Sequence, residues 1–170
     1  EAAALRGLPP AQAAGGRQPY MFSQGQAILT RTWVPTQDSP GIRQTWDARI
    51  VAPSDLKVVM SAETLTIDGE SVAGGKAWRF RMTNPVPPYL IAIGVGDVDF
   101  AAIDERTGVW TEPSRLHAAH DELVPTAEMV AVAEGLYGPY PSGPSAPPAL
   151  PPSSPFRGPA NPPLPSPPPP

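Results

Sequence analysis

The proline content changes abruptly along this chain of 170 residues. Fifteen of the 27 prolines lie in the last 30 residues, where Arg157 is the single charged residue. Proline fixes the backbone φ angle and has no N–H group, so such a segment neither propagates a helix nor donates to a central sheet. We therefore expect the first 140 residues to form the core, and residues 141–170 to be a polyproline-like or disordered tail.

The charged residues do not form a surface for a polyanion. Sixteen acidic and 12 basic residues give a net charge of −4 and are mixed along the chain. Because a nucleic acid or an anionic membrane attracts a patch of excess positive charge, we expect neither as a partner. No apolar run approaches the roughly 20 residues that cross a bilayer. The sequence therefore predicts no membrane segment.

The cysteine count and the first residue bear on the compartment. The chain has no cysteine, which excludes a disulfide framework and thiolate metal ligands. It begins at Glu1 with no methionine and no targeting pattern, and we expect that the true N-terminus is missing. A cytoplasmic location is favoured, while a secreted or periplasmic location stays open.

Residues 42 to 111 have the pattern of an antiparallel β region. Apolar and polar side chains alternate roughly from Ile42 to Ala52, which is the period of a half-buried strand. Turn residues separate the strand-length runs at Pro53-Ser54, Asp68-Gly69, Gly74-Gly75 and Thr107-Gly108. Asp68-Gly69 suits a tight hairpin, although an ordinary surface turn is favoured there. The other predicted strands are Lys57–Ala62, Ala77–Met82, Leu90–Val98 and Val109–Thr111.

The pattern becomes helical after Glu112. Leu116, Ala119 and Leu123 recur at three-to-four spacing, behind a proline that suits a first helical turn. A second helix is predicted to begin near Pro125 and to end at Gly138. Its apolar face consists of Met129, Val130, Ala133 and Leu136.

Two histidines and two carboxylates cluster on the first predicted helix, at His117, His120, Asp121 and Glu122. Histidines at positions i and i+3 can converge on one ion, but a structural zinc site needs about four ligands with supporting contacts. The histidines also flank two alanines on a face that reads as solvated. A surface helix is therefore favoured over a metal site.

Three further sets of residues have a structural interpretation that is favoured over a functional one. Four carboxylates stand in no recognisable catalytic frame and have the positions of strand-end and turn acids. Four tryptophans lie on strand-like stretches, where core packing is commoner than a stacking platform for sugars. Two glycines lack the third glycine of a dinucleotide-binding loop and indicate a bulge or a close strand contact. The four carboxylates are Asp97, Asp99, Asp104 and Glu105. The four tryptophans are Trp33, Trp46, Trp78 and Trp110, and the two glycines are Gly94 and Gly96.

Six segments of the sequence resemble a known protein family. They are QPYMFSQGQAI at residues 18–28, WVPTQDSPGIRQTWDARIVAP, VVMSA, PPYLIAIGVGDVDF, TGVWTEP and AEGLYGPYP, in this order. Together they resemble zinc aminopeptidases of the leukotriene A4 hydrolase and aminopeptidase N type. The resemblance implies a mainly β fold, with the end of an antiparallel, saddle-like N-terminal β domain at residues 1–112. It also implies the first helices of a thermolysin-like catalytic domain at residues 113–140, followed by a degraded proline-rich tail at 141–170.

The resemblance implies a place for the substrate. In that family a Gln-x-Gln-Ala segment lies at the rim of the peptide cleft and contacts the N-terminal residues of the substrate. The matching residues here are Gln24, Gly25, Gln26 and Ala27. An amide carbonyl accepts a hydrogen bond from an α-ammonium group, while the amide NH2 group donates to a peptide carbonyl. A polar turn next to a strand is the alternative interpretation.

A second substrate-contacting segment of the family falls in the tail. Where the family has a Gly-Gly-Met-Glu-Asn loop, Arg157 replaces the first glycine, Pro159 the methionine and Ala160 the glutamate. Because the family's glutamate grips the free α-amino group, we expect amine recognition to be severely weakened here. The candidate contacts of this loop are Phe156, Arg157, Gly158, Pro159 and Ala160.

The resemblance implies that the parent enzyme removes N-terminal residues from peptides with zinc as its cofactor. The family's zinc motif, H-E-x-x-H with a later glutamate, does not occur in this sequence. We therefore expect this chain to bind no zinc and to be inactive. Two other classes stay open: a non-catalytic β-sandwich module that binds a peptide or glycan, and a proline-rich interaction protein whose tail offers P-x-x-P ligands.

Overall fold

A computed structural model describes residues 2–139 of the chain. These residues form ten β-strands followed by two α-helices, so the predicted mainly β class is confirmed. The strands are β1 (Leu5–Leu8), β2 (Tyr20–Ser23), β3 (Gln44–Ala52), β4 (Lys57–Met60), β5 (Glu63–Thr64), β6 (Glu70–Val72), β7 (Gly75–Val86), β8 (Ile93–Gly96), β9 (Asp99–Ala102) and β10 (Gly108–Thr111). The helices are α1 (Leu116–Leu123) and α2 (Thr126–Tyr137), and short 3-10 turns lie at Pro10–Gln12, Thr30–Thr32, Pro88–Leu90 and Pro113–Arg115.

Two antiparallel sheets enclose the main core. The first sheet has the strand order β1-β2-β8-β4, and the second has β3 on one side of β7 and both β5 and β6 on the other. Val58 and Ile93 of the first sheet meet Trp78 and Phe80 of the second in one buried cluster. Each strand contributes alternate residues to this cluster, because successive side chains point to opposite faces.

Three strands of the first sheet, β2, β8 and β4, are covered on both faces. On the face turned away from the second sheet, Tyr20, Phe22 and Val59 form another cluster, and Trp110 of the β9–β10 hairpin packs against it. All four residues of β8 are buried as a result. Strand β8 is therefore the buried centre of this sheet.

The two glycines of β8 make room for an aromatic ring, which confirms the predicted close strand contact. A Cβ atom built on Gly96 would lie 2.5 Å from Tyr20 Cδ2, and one built on Gly94 would lie 3.3 Å from the Tyr20 hydroxyl oxygen. Tyr20 is only 2% exposed. Its ring fills the space that side chains at these two positions would need.

Replacing Gly96 with alanine is expected to lower the free energy of unfolding by about 1–3 kcal/mol, because the added Cβ would overlap the buried Tyr20 ring. Urea unfolding followed by circular dichroism measures the change. Gly7→Ala in β1 of the same sheet is the matched control, since a Cβ there would meet no atom within 4 Å. Equal stability of the two variants would contradict the packing described here.

The chain does not form a tight hairpin at Asp68-Gly69, and the ordinary-turn interpretation is confirmed. Strands β5 and β6 do not pair with each other; both pair with β7, one after the other. Gly69 has a φ of 68°, and a Cβ there would lie 2.8 Å from the Trp78 indole. The turn therefore bends one extended segment over the core tryptophan, and the reversal of direction comes later, between Val72 and Gly75.

The helices have the predicted limits, and the apolar face of α2 is not covered by other residues of the described chain. Helix α2 ends at Tyr137, and Gly138 follows with a φ of 90°, as expected of a glycine that ends a helix. No side chain of α2 is buried, and Met129 and Leu136 of its apolar face are 67% and 71% exposed. Neither helix within residues 2–139 has the length and apolar character that crossing a membrane requires.

Candidate functional site

The segment Gln24 to Ala27 follows β2 directly and is fixed from both ends. The backbone N–H of Gln24 donates to the Ala4 carbonyl at 2.8 Å, and the N–H of Leu29 donates to the Gly25 carbonyl at 2.8 Å. The Thr30 hydroxyl, fully buried, donates to the Pro88 carbonyl at 3.0 Å. These bonds tie the start of the segment to the residue before β1, and the residues after it to the turn that precedes β8.

Gly25 sits in a space that accepts no side chain. A Cβ atom there would lie 2.5 Å from Thr30 Oγ1 and 3.0 Å from the backbone of Tyr89. Gly25 is buried, whereas the two residues that follow it, Gln26 and Ala27, are exposed. The peptide bond between Gln26 and Ala27 is cis. The segment thus has an anchored inner residue and an accessible outer edge.

The two glutamine side chains bond to each other and leave complementary groups unused. Gln24 Nε2 donates to Gln26 Oε1 at 3.1 Å, in an exposed position. Within residues 2–139, Gln24 Oε1 and Gln26 Nε2 have no protein partner. The pair therefore has one carbonyl acceptor and one amide donor that no other protein group of residues 2–139 occupies.

The loop after this segment is closed by a buried carboxylate. Asp38 is 4% exposed, and its Oδ2 accepts a hydrogen bond from the Arg31 backbone N–H at 2.9 Å. The Arg31 guanidinium group in turn donates to the Asp38 carbonyl. No sequence pattern singled out Asp38, because its role depends on a contact seven residues away that leaves no periodic trace.

A buried glutamate joins the β region to the helices. Glu112, 5% exposed, accepts hydrogen bonds from the backbone N–H groups of Ala14 at 2.7 Å and Gly15 at 2.9 Å. Its own carbonyl accepts the N–H of Arg115 and so begins the turn before α1. Burial raises the pKa of Tyr20, and the negative charge of Glu112 adds to that increase.

The histidine cluster of α1 has the geometry of a surface helix. His117 Nδ1 lies 3.1 Å from Asp121 Oδ2, and His120 Nδ1 lies 3.2 Å from Asp121 Oδ1. The side chain of His117 is 91% exposed. Within residues 2–139 no group of three or more histidine, cysteine, aspartate or glutamate side chains is placed to hold a metal ion. The donors of the described chain do not fit a zinc site.

Three of the four candidate carboxylates have structural partners. Asp99 pairs with Lys57 at 2.6 Å, and Asp97 pairs with Arg17 at 3.7 Å. Asp104 organises the β9–β10 turn: hydrogen bonds from the Thr107 hydroxyl and from the backbone N–H groups of Arg106 and Thr107 lower its pKa. The prediction that they are strand-end and turn acids is confirmed for these three.

The tryptophans pack against the core. Trp78 is 2% exposed, and the others lie partly buried against the two hydrophobic clusters. Trp33 follows the 3-10 turn at Thr30–Thr32 and not a strand, so its predicted strand position is wrong. The core-packing interpretation is confirmed.

The candidate contacts of the tail lie outside the described residues. These contacts are Phe156, Arg157, Gly158, Pro159 and Ala160. The predicted disorder of residues 141–170 also concerns residues outside the described part of the chain.

The fold defines the chain as an antiparallel β region followed by two short helices, with the polar segment Gln24 to Ala27 directly after β2 of the first sheet. The sequence profile of the Peptidase M1 N-terminal domain matches residues 4–90, and the chain belongs to this family.

Similar proteins are aminopeptidases and leukotriene A4 hydrolases. Aminopeptidase B of Mus musculus is 38% identical over 156 residues, which are 91% of this chain and 23% of that protein. Leukotriene A-4 hydrolase of Xenopus laevis is 38% identical over 166 residues, which are 95% of this chain and 27% of that protein. The chain thus spans about a quarter of the length of these relatives.

The chain is also similar to solved structures of leukotriene A4 hydrolase and of an M1 zinc metallopeptidase. Native leukotriene A4 hydrolase of Saccharomyces cerevisiae superposes with a TM-score of 0.78 at 33% identity, over 92% of this chain and 23% of that one. The yeast enzyme in complex with Bestatin has a TM-score of 0.80 at 34% identity, with 92% and 24% covered. An M1 zinc metallopeptidase from Deinococcus radiodurans, at 21% identity and a TM-score of 0.61, shares the fold over 78% of this chain and 32% of that one.

Proposed function

We propose that this chain is the substrate-cleft part of a zinc-dependent aminopeptidase that removes N-terminal residues from peptides. Residues 1–112 are the C-terminal part of its N-terminal β domain, and residues 113–140 are the first helices of its catalytic domain. Residues 141–170 are a degraded counterpart of the segment that follows in the family. The chain by itself contributes to recognition of the peptide and performs no hydrolysis.

The pair of unused amide groups on Gln24 and Gln26 is the observation that carries this proposal. A peptide N-terminus offers an ammonium donor and, three bonds away, a carbonyl acceptor. Gln24 Oε1 is an acceptor for the first, and Gln26 Nε2 is a donor for the second. The anchored Gly25 fixes the backbone between the two glutamines, and the bond between their amides restrains the side chains, which reduces the entropy lost on binding.

Zinc belongs to the parent enzyme and not to the residues described here. When bound in the family, zinc polarises the carbonyl to be cleaved and activates a water molecule. The donor set of residues 2–139 does not fit it, because His117 and His120 are the two imidazoles of the chain and neither joins a third ligand. Ala160, where the family has its amine-binding glutamate, further limits this chain to weak recognition.

The proposal predicts weak and localised peptide binding. We expect trialanine at millimolar concentration, which corresponds to a binding free energy of about −4 kcal/mol, to shift the side-chain amide NMR signals of Gln24 and Gln26. N-acetyl-trialanine, which lacks the ammonium group, should produce smaller shifts. Gln24→Ala should abolish the effect, and Gln37→Ala, an exposed glutamine outside the segment, should preserve it. Equal shifts with both peptides, or shifts outside residues 24–27, would contradict the assignment.

A further inference from the structure

Strand β3 has one unpaired edge. It is nine residues long and lies at the end of the second sheet, where it pairs with β7 alone. Within residues 2–139, no backbone–backbone hydrogen bond joins residues 44–52 to a segment other than β7. A long edge without a proline presents a row of N–H and C=O groups that another strand can pair with.

The sequence of β3 is complementary to itself about its centre. If two copies of the strand pair antiparallel with Ala48 opposite Ala48, then from Thr45 to Val51 every exposed residue faces an exposed residue and every half-buried residue faces a half-buried one. Aromatic side chains opposite β-branched ones, and opposite charges, are favourable cross-strand pairs. The pairs in this register are Thr45 with Val51, Trp46 with Ile50, Asp47 with Arg49 and Ala48 with Ala48.

The neighbouring registers are unfavourable. A shift by one residue turns the half-buried face of one copy to the exposed face of the other. A shift by two in one direction places Asp47 opposite Asp47, and a shift by two in the other places Arg49 opposite Arg49. Like charges directly opposite each other destabilise a sheet. The register centred on Ala48 is therefore the one that the charges select.

The exposed face of the sheet carries an excess negative charge beside Asp47. Arg81 of β7 donates to Asp47 at 2.7 Å, and Glu63 of β5 is the partner of Arg81 on the other side. The pKa of Arg81 is raised, chiefly by its hydrogen bond to Asp47. This row of three residues has one more carboxylate than guanidinium groups.

The next row of the same face carries an excess positive charge. Arg49 lies opposite Arg79 of β7, and Arg79 has a distant ion pair with Glu70 at 3.7 Å. Arg49 has no carboxylate partner within residues 2–139. In the register centred on Ala48, Arg49 of one copy lies opposite Asp47 of the other. The positively charged row of each copy therefore continues into the negatively charged row of its partner.

We propose that the free edge of β3 is a docking site for a second copy of this chain, which forms a two-fold symmetric dimer through antiparallel pairing of the two β3 strands about Ala48. The two second sheets become one continuous sheet. Such an interface is isologous, because each Asp47 meets the Arg49 of its partner and the reverse. This association is independent of the peptide-binding segment, which lies after β2.

A single cysteine tests the register. The chain has no cysteine, so Ala48→Cys introduces one thiol per copy. Directly opposed residues of antiparallel strands have Cα atoms about 4.5–5.5 Å apart, which is within the range of a disulfide bond. Under a mild oxidant, Ala48→Cys should form a disulfide-linked dimer at least about tenfold faster than Thr83→Cys, an exposed control on β7. Equal rates would overturn the proposed register.

Sedimentation of the full chain tests the charge pairing. At about 100 µM we expect the unmodified chain to be mainly dimeric and Arg49→Asp to be mainly monomeric, because the variant opposes two carboxylates. Arg49 is exposed and has no ion pair to lose, so the fold of the monomer is expected to be unchanged. Arg6→Asp on β1 has the same change in charge and should remain dimeric. A monomeric unmodified chain, or a dimer that Arg49→Asp leaves intact, would overturn the proposal.

Discussion

Replacing Glu112 with alanine is expected to lower the free energy of unfolding by about 3–5 kcal/mol. The substitution removes the acceptor of two backbone N–H groups, at 2.7 and 2.9 Å, and leaves both without a partner. Hydrogen bonds to a charged group contribute about 1.5–3 kcal/mol each. Because these bonds join residues 97 and 98 positions apart, their loss also separates the Ala14–Gly15 loop from the junction with α1.

Chemical denaturation of three variants separates the causes of this loss. Glu112→Gln keeps one carbonyl oxygen but places its NH2 group against the second N–H, so an intermediate loss is expected. Glu122→Ala on the exposed face of α1 is the control and should change the stability by less than about 0.5 kcal/mol. A loss below about 1 kcal/mol for Glu112→Ala would show that the junction is held by other contacts.

The purified chain is expected to bind no zinc tightly and to release no N-terminal amino acid. A tight zinc site needs three or four converging ligands, and His117 and His120 are the two imidazoles available. Without a bound metal ion there is no activated water, and under the proposed correspondence of Ala160 with the family's amine-binding glutamate the substrate would be poorly oriented. The expected effect is complete loss of the parent activity.

Metal analysis measures the zinc bound per chain, and an aminoacyl anilide assay in the presence of added zinc measures the release of N-terminal amino acids. An M1 zinc metallopeptidase such as that of Deinococcus radiodurans serves as the positive control under the same conditions. One zinc ion per chain together with turnover that requires the metal would contradict the prediction. His117→Ala would then identify the helix α1 cluster as the site.

The elements that obey a simple period were predictable from the sequence. The alternation in β3 and the three-to-four spacing in α1 follow directly from their side-chain patterns, because each element has one half-buried face and one exposed face. The end of α2 was also predictable from a local feature, because glycine readily adopts the positive φ that ends a helix, as Gly138 does. The prediction of a strand over Leu90–Val98 was too long, because Pro88–Leu90 forms a 3-10 turn before the strand begins at Ile93.

Elements buried on both faces, and contacts between distant residues, were not predictable. The patterns predict no strand before Ile42, yet β1 and β2 lie there; β2 has no alternation because both faces of its sheet are covered. The bonds from Ala14 and Gly15 to Glu112 join parts of the chain that no local pattern connects. At the candidate site, the position of Gln24 to Ala27 came from the resemblance, and its fixation by Gly25 came only from the structure.

A chimeric enzyme tests the central claim most directly. Residues 2–139 of this chain replace the matching segment of Mus musculus aminopeptidase B, which supplies the remainder of the protein. We predict that the chimera, with the zinc content of its parent, hydrolyses an aminoacyl anilide within about tenfold of the parent's kcat/KM. Gln24→Ala in the chimera should raise KM about tenfold or more, which corresponds to the loss of about 1.4 kcal/mol of substrate binding. A folded, zinc-loaded chimera without activity, or one whose KM is unchanged by Gln24→Ala, would contradict the assignment of this chain to the substrate cleft of an aminopeptidase.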